Sequence, residues 1–466
     1  MKTPEIFDEI RPYEAEEMRQ AFEALLDDRQ FNLVLKGFLP WMPKALRKGL
    51  LRLVFLGVKT PLDFQKRFMK PVVKYIIRKH TDGLTADIPT PNLKPRYTFI
   101  SNHRDIVLDS AFLDVLLVDN HFPTTVEIGI GDNLLIYPWI KRLVRMNKAF
   151  IVRRALSMHE MMRSSQLMSQ YIHYAVTTKK ENIWIAQREG RAKDSDDRTQ
   201  ESVLKMLAMG GDLKELNIVP LTISYEYDPC DYLKAKEFQQ KRDNPHHKKS
   251  KQDDLDNMRT GIFGYKGRVH YHWGATVNDF IEQLQAQQLP KNDFFKALAE
   301  HIDRQIHSQY HLYPCNYIAL DLLNGRSSEG RPCLHEVCRV VTDEDEVNGQ
   351  SSEGRPCLHE VCRVVTDEDE VNGRSSEGRP CLHEVGRVVT DEDEVNGNDK
   401  LSSHYTDKDK ERFEKYLAGQ LAKIDLPDKD EPFLRERILT MYANPLRNYL
   451  RGKSKYIEEN ESKISS

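Results

Sequence analysis

Residues 99 to 112, FISNHRDIVLDSAF, bring an apolar strand-like run to Asn102 and His103, with two carboxylates, Asp105 and Asp109, close behind. An imidazole titrates near neutrality and can take a proton from an alcohol when a carboxylate holds its other ring nitrogen. A strand end that opens into a crevice of an α/β sheet is a place where such a base can work. The same segment also fits a histidine in a loop, with Asp105 serving only to cap the helix that follows. Two other groups have ligating chemistry. His270 and His272 share one face of the strand-like run VHYHW, two positions apart, but no third ligand lies near them in sequence. PCLHEVC occurs at Cys333 to Cys338 and again at Cys357 to Cys362, a spacing that suggests zinc. A third copy, from Cys381, has Gly386 where the second Cys would be, which argues against a shaped site, so no metal is expected.

These cysteines belong to a tandem repeat. A 24-residue unit, GRSSEGRPCLHEVCRVVTDEDEVN, begins at Gly325 and recurs almost unchanged twice more through Asn396. The three copies hold 8 Arg against 18 acids, which leaves 61 basic against 54 acidic residues, or +7, on the other 394. The overall charge of −3 therefore describes the insertion, and the body of the chain is basic. Each unit has too few apolar positions to stack a core, so an acidic, disordered insertion in a surface loop is expected. Only Cys230 and Cys315 lie outside it, and no disulfide framework is expected.

The elements that must position His103 read as α/β. YTFIS, TVEIGI, KAFIVR, ENIWIA, NIVPLTISY and GRVHYHWG are strand-like. Helical patterns fall between them, from about Ile106, through IYPWIKRLVRM and from about Ser157, and continue from about Asn278 to Gln309. The basic stretch 241–254 reads as a solvated loop, and two helices close the chain around DKERFEKYLAGQL and FLRERILTMY. Before the sheet, residues 36 to 80 carry twelve Lys or Arg against one acid, Asp63, interleaved with Trp41, Leu50, Leu53, Phe64, Tyr75 and other apolar groups. Helices with one apolar and one cationic side suit an anionic membrane surface. No nucleic-acid-reading motif accompanies the patch. No apolar run is long enough to span a bilayer, and the start does not have the basic-then-apolar order of a signal peptide. The expected location is cytoplasmic, peripheral on the inner face of the cell membrane. The organisation read from the sequence is a basic helical region at 1–82, an α/β domain at 83–312, the repeats at 325–396 and a helical region at 397–466.

Four ordered blocks carry a family resemblance: NHRDIVLD from Asn102, GDNLLIYPWIKRLVRMNKAFIVRR from Gly131, IWIAQREGR from Ile183 and IVPLTISY from Ile218. In these the chain resembles the phospholipid/glycerol acyltransferase family, typified by the PlsC-type 1-acylglycerol-3-phosphate acyltransferases. The resemblance implies a mixed central sheet flanked by helices, with amphipathic helices before it. It implies transfer of a fatty acyl group from acyl-CoA or acyl-carrier protein to a lysolipid hydroxyl, most simply 1-acylglycerol-3-phosphate, with no cofactor. His103 would be the base and an aspartate would fix its tautomer. Arg153 and Arg154 would clamp phosphate, Asn102, Glu189 and Gly190 would contact the acceptor, and Pro220 would border the acyl pocket. The chain departs from the family pattern twice. His103 and Asp109 enclose five residues where the family has four, which leaves Asp105 as the alternative partner. After Glu189-Gly190 comes Arg191 and then Ala192, where the family has a small residue and then Arg, so Arg191 would take over that phosphate contact. Other acceptors, namely glycerol-3-phosphate, other lysophospholipids or an amino-acid lipid, and a non-catalytic membrane scaffold are the competing readings.

Overall fold

Short runs whose successive side chains serve opposite faces build the centre of the molecule. In β2 (Thr98–Ser101) Phe99 packs to one side and Ile100 to the other. In β5 (Asn182–Ala186) Trp184 and Ile183 divide the same way, as do Val219 and Ile218 of β6 (Ile218–Tyr225). These strands are buried on both faces, which requires helices above and below. The computed structural model describes residues 2–38, 40–89, 95–154, 158–325 and 401–464; the repeats, Gly325 apart, lie outside the described residues.

With β1 (Gly83–Asp87), β3 (Val126–Gly131), β4 (Ala149–Val152) and β7 (Arg268–Trp273), the strands form one seven-stranded sheet in the order β1-β7-β6-β2-β5-β3-β4. The five strands from β6 to β4 are mutually parallel; β7 runs antiparallel to β6 and carries β1 parallel to itself on the outer edge. The central sheet is thus mixed and flanked by helices. One face is covered by α8 (Met158–Tyr174), α9 (Glu201–Leu207), α12 (Asn278–Ala286) and α13 (Lys291–Ser308), through Tyr171, Leu204, Ile281 and Ile302. The other face is covered by α5 (Lys70–His80) and α6 (Leu108–Asp119), through Val73, Ile76, Phe112 and Leu117.

Ahead of the sheet, α1 (Ala15–Asp27), α2 (Arg29–Phe38) and α3 (Lys44–Phe55) gather around Phe22, Leu26 and Phe55. The one-turn helix α4 (Pro61–Asp63) then runs through a π-helical turn at Phe64–Met69 into α5. The very start is tied to the sheet, because Phe7 and Ile10 enter the α8-side core and the Ile10 carbonyl accepts the Ile151 N–H at 2.9 Å. α7 (Pro138–Met146) joins β3 to β4. Between β6 and β7 lie α10 (Asp231–Asp243) and α11 (Lys251–Phe263); of the stretch read as a solvated loop, 244–250 is an exposed connection between them and only its two ends are helical. α14 (Pro314–Leu323), α15 (Asp407–Ala422) and α16 (Glu431–Ile464) pack together around Ile318, Phe413, Ile438 and Leu446. Among the described residues no helix is long and apolar enough to cross a membrane.

Candidate functional site

Parallel strands end on the same edge, so residues that directly follow β2, β4 and β5 must meet along one rim. His103 follows the central strand β2, Arg153 and Arg154 follow β4, and Glu189 and Gly190 follow β5. Strand order therefore gathers residues up to 87 positions apart in the chain without any long-range motif.

His103 is positioned by the turn that starts α6. Its Nδ1 lies 2.8 Å from Asp109 Oδ2. A carboxylate oxygen only accepts, so Nδ1 carries a proton, and in the neutral ring it is Nε2 that has the lone pair. Nε2 has no hydrogen-bond partner among the described residues. The side chain is 13% exposed, against 0% for Asp109. The ring meets the Trp184 indole edge-on at a centroid distance of 5.5 Å, which fixes its plane. Asp109 Oδ2 also accepts the Arg104 and Asp105 backbone N–H groups at 2.7 and 3.0 Å. Behind it the Tyr271 hydroxyl donates to the Asp109 carbonyl at 2.9 Å. Burial, then the neighbouring Tyr271 and Asp109, hold the Tyr225 phenol well above its usual range.

Asp105 does something else. Its Oδ1 accepts the Val107 and Leu108 N–H groups, both at 2.8 Å, and so closes the turn into α6. The five residues between His103 and Asp109 are accommodated by this turn, and the imidazole bonds to Asp109 rather than Asp105. Burial, with the charge of Asp109 second, raises the Asp105 carboxyl above the ordinary carboxylate range.

The remaining residues separate into rim and interior. Arg154 reaches back from β4 across Gly131 to Glu189, Nη1 to Oε1 3.5 Å. A β-carbon at Gly131 would come within 2.8 Å of Arg154 Nε, so the missing side chain opens that path. Arg153 is paired with Glu9 and remains 43% exposed. Glu189 is exposed and its N–H donates to Gln200 Oε1 at 2.8 Å, while Gly190 turns the chain at φ +73°. Asn102, expected to contact the acceptor, is fully buried; its amide donates to the Ile223 carbonyl and accepts the Ile223 N–H, each at 2.8 Å, and so clamps the end of β2 to β6. Arg191, expected to bind phosphate, is turned inward: Nη2 donates to Asn257 Oδ1 at 3.1 Å and Nη1 is enclosed. Burial alone would lower the proton affinity of Arg191, but Cys230, Asp105 and Asp228 around it raise it. Pro220 is buried within β6 beside Ile100, and its carbonyl accepts the Gly274 N–H at 2.9 Å.

Sequence reasoning missed the supports. Arg104 is buried with Nη1 3.6 Å from Asp197 Oδ2 and its guanidinium 5.6 Å from the Tyr310 ring centroid. Asp197 lies near His103 as well, and burial raises its carboxyl despite the neighbouring Arg104, Lys234 and His103 charges. Nothing in the local sequence around Asp197 or Tyr310 marks them, because only the packing of α13 brings Tyr310 to this place. The cysteines of the repeats lie outside the described residues; Cys230 and Cys315 are free and buried.

No protein-family model matches the chain, and no curated protein matches it. Among solved structures it is similar to the 1-acyl-sn-glycerophosphate (LPA) acyltransferase PlsC from Thermotoga maritima, at 11% identity and a TM-score of 0.34, over 62% of this chain and 96% of that one. A likeness of that size bears no weight on what this chain does.

Proposed function

We propose that this protein is an O-acyltransferase acting at an anionic membrane surface, moving a fatty acyl group from acyl-CoA or acyl-carrier protein to the hydroxyl of a lysolipid, with 1-acylglycerol-3-phosphate as the acceptor that fits best. The observation that carries the reading is the His103–Asp109 contact of 2.8 Å with Nε2 left free, on the rim where Arg153 and Arg154 also stand. His103 Nε2 takes the proton of the acceptor hydroxyl as its oxygen attacks the thioester carbonyl. The tetrahedral intermediate collapses, the C–S bond breaks, and the departing sulfur recovers that proton from the imidazolium. Asp109 holds Nδ1–H throughout and stabilises the imidazolium, and no covalent acyl-enzyme is needed.

Arg153 and Arg154 supply planar, two-pronged donors for the acceptor's phosphate, which would displace Glu9 and Glu189 from them. With Arg191 turned inward, these two carry the anion contact.

The apolar side chains of α2, α3 and the segment around them support the membrane part of the reading. Leu33, Trp41, Leu53 and Leu56 are 61, 74, 65 and 77% exposed, beside the exposed cations Lys36, Lys44 and Lys59. Exposed apolar side chains in a cation-rich segment of this kind fit the headgroup layer of an anionic bilayer on the cytoplasmic side. Incubating the purified protein with vesicles, lysophosphatidate, glycerol-3-phosphate or other lysolipids, and each thioester donor in turn, tests the proposal. Phosphatidate formed from lysophosphatidate is the expected product; no acyl ester with any acceptor would refute it.

A further inference from the structure

On the outer edge of the sheet, β1 lies parallel to β7 with Thr85 opposite His270 and Asp87 opposite His272. Residues two apart on a strand share a face, so Thr85, Asp87, His270 and His272 all project to one side. Asp87 Oδ2 sits 3.2 Å from His270 Nε2 and 3.6 Å from His272 Nδ1. One ligand atom from each of the three lies within 4.8 Å of the other two. The sequence separates Asp87 from the histidines by more than 180 residues, and only the pairing of β1 with β7 unites them.

We infer that Asp87, His270 and His272 form a binding site for one divalent transition-metal ion of the zinc class, which staples the edge strand β1 to β7. Two imidazoles and a carboxylate are the ligand types such ions take, at about 2.0–2.2 Å from the metal. Asp87 is 68% exposed, so its side chain is free to close the small remaining gap, and water can complete the coordination. The Thr85 hydroxyl lies 2.9 Å from His270 Nδ1, an outer contact that engages that nitrogen and leaves Nε2 facing Asp87. The His311 ring, 4.7 Å from that of His270 between centroids, walls the site on the α13 side. Tyr271, between the two histidines, points to the opposite face, where it meets Asp109. The metal site and the His103 pair are therefore on opposite sides of the sheet.

The test uses the full chain without an affinity tag, stripped by chelator and titrated with Co²⁺ beside the variants Asp87→Asn and His272→Gln, each checked for native circular dichroism. The wild type is expected to bind one equivalent more than either variant, with d–d absorption for that equivalent and no thiolate charge-transfer band. Zn²⁺ should raise the wild-type Tm and leave the folded variants unmoved. If one variant fails to fold, the other decides. Equal stoichiometry in wild type and variant would overturn the inference and leave the three residues as an ion-paired cluster. So would a thiolate band on all the bound cobalt, which would place the metal on cysteines.

Discussion

At the residue scale, one oxygen atom of Asp109 holds an imidazole and two backbone N–H groups at once. Asp109→Asn would offer an amide oxygen of lower charge or an N–H in its place, so the tautomer of His103 would no longer be fixed. Acyl transfer should fall by about a hundredfold or more with little change in Tm, read by kcat and thermal unfolding on the same preparation. Asp105 supports a different prediction. A β-carbon at Gly261 would collide with Asp105 Oδ2 in a buried contact, so Gly261→Ala should push Asp105 off the α6 turn. Loss of a cap costs about 1 kcal/mol and the clash adds to it. A Tm equal to wild type would show that the turn tolerates the shift.

How much of the site the sequence discloses follows from the same residues. The places of His103 and the rim arginines are legible because each directly follows a strand whose apolar run is plain, and that of Asp109 because it opens the helix that comes after β2. The inward turn of Arg191 is not legible, since it depends on Asn257, Cys230 and Asp228, which reach it only through the fold. Nor is the role of Asn102, whose partner, Ile223, lies 121 residues away.

At the element scale, the strands read correctly have a mostly apolar run or, as in VHYHW of β7, a regular alternation of apolar and polar residues. β1 escapes because GLTAD has only Leu84 and Ala86 to bury and lies on an edge. α10 escapes because its buried face includes Asp231, Lys234 and Glu237, held by ion pairs and hydroxyl donors instead of an apolar stripe. α2 and α3 present the opposite case, apolar groups left outside. Replacing Trp41 and Leu53 together by Asp should weaken binding to anionic vesicles by about tenfold or more without lowering Tm, because both side chains are exposed. Vesicle sedimentation that does not distinguish variant from wild type would remove the membrane argument. Arg47, Lys48 and Arg52 are poorer probes, since they bond to the Met42 carbonyl, Asp27 and Glu23.

α13 carries a pH prediction. His307 is buried and its Nε2 donates to the Asp197 carbonyl at 3.0 Å. Burial, then Arg198, lower its pKa from 6.5 to about 4. The unfolded chain therefore binds a proton below 6.5 that the folded chain refuses, so this stabilisation is complete above pH 6.5 and is lost as pH falls toward 4. Buried carboxyls such as Asp231, raised to about 7, act in the reverse sense, so the difference between wild type and variant is the quantity to measure. The stability gap between wild type and His307→Gln should shrink by about 2 kcal/mol from pH 7.5 to 4.5 in urea unfolding, since each tenfold change in proton affinity is worth about 1.4 kcal/mol. A gap independent of pH would mean that His307 takes up its proton as readily in the fold as in the unfolded chain.

At the scale of the whole molecule, the class of fold is legible as alternating strands and helices, whereas the strand order and the packing of the C-terminal helices against α13 and α14 are not. Order depends on which faces are left to cover after the first contacts form, and local patterns do not encode it. The repeats interrupt the chain between α14 and Leu401, yet Leu320 and Leu401 are buried in one cluster, so both ends of the interruption are held by the same core. Removing 325–396 with a short Gly-Ser join should leave activity and Tm close to wild type, because loop closure depends weakly on length. Loss of transfer in a folded deletion variant would give the repeats a part in function.

If the unprotonated nitrogen of His103 takes the acceptor's proton, the imidazole is indispensable to turnover. The decisive comparison is the turnover of lysophosphatidate on anionic vesicles by wild type and His103→Ala, each confirmed to be folded. Phosphatidate formation by the wild type and a loss of about a hundredfold or more in the variant are predicted; a variant that turns over as fast as the wild type would contradict the proposed role of His103.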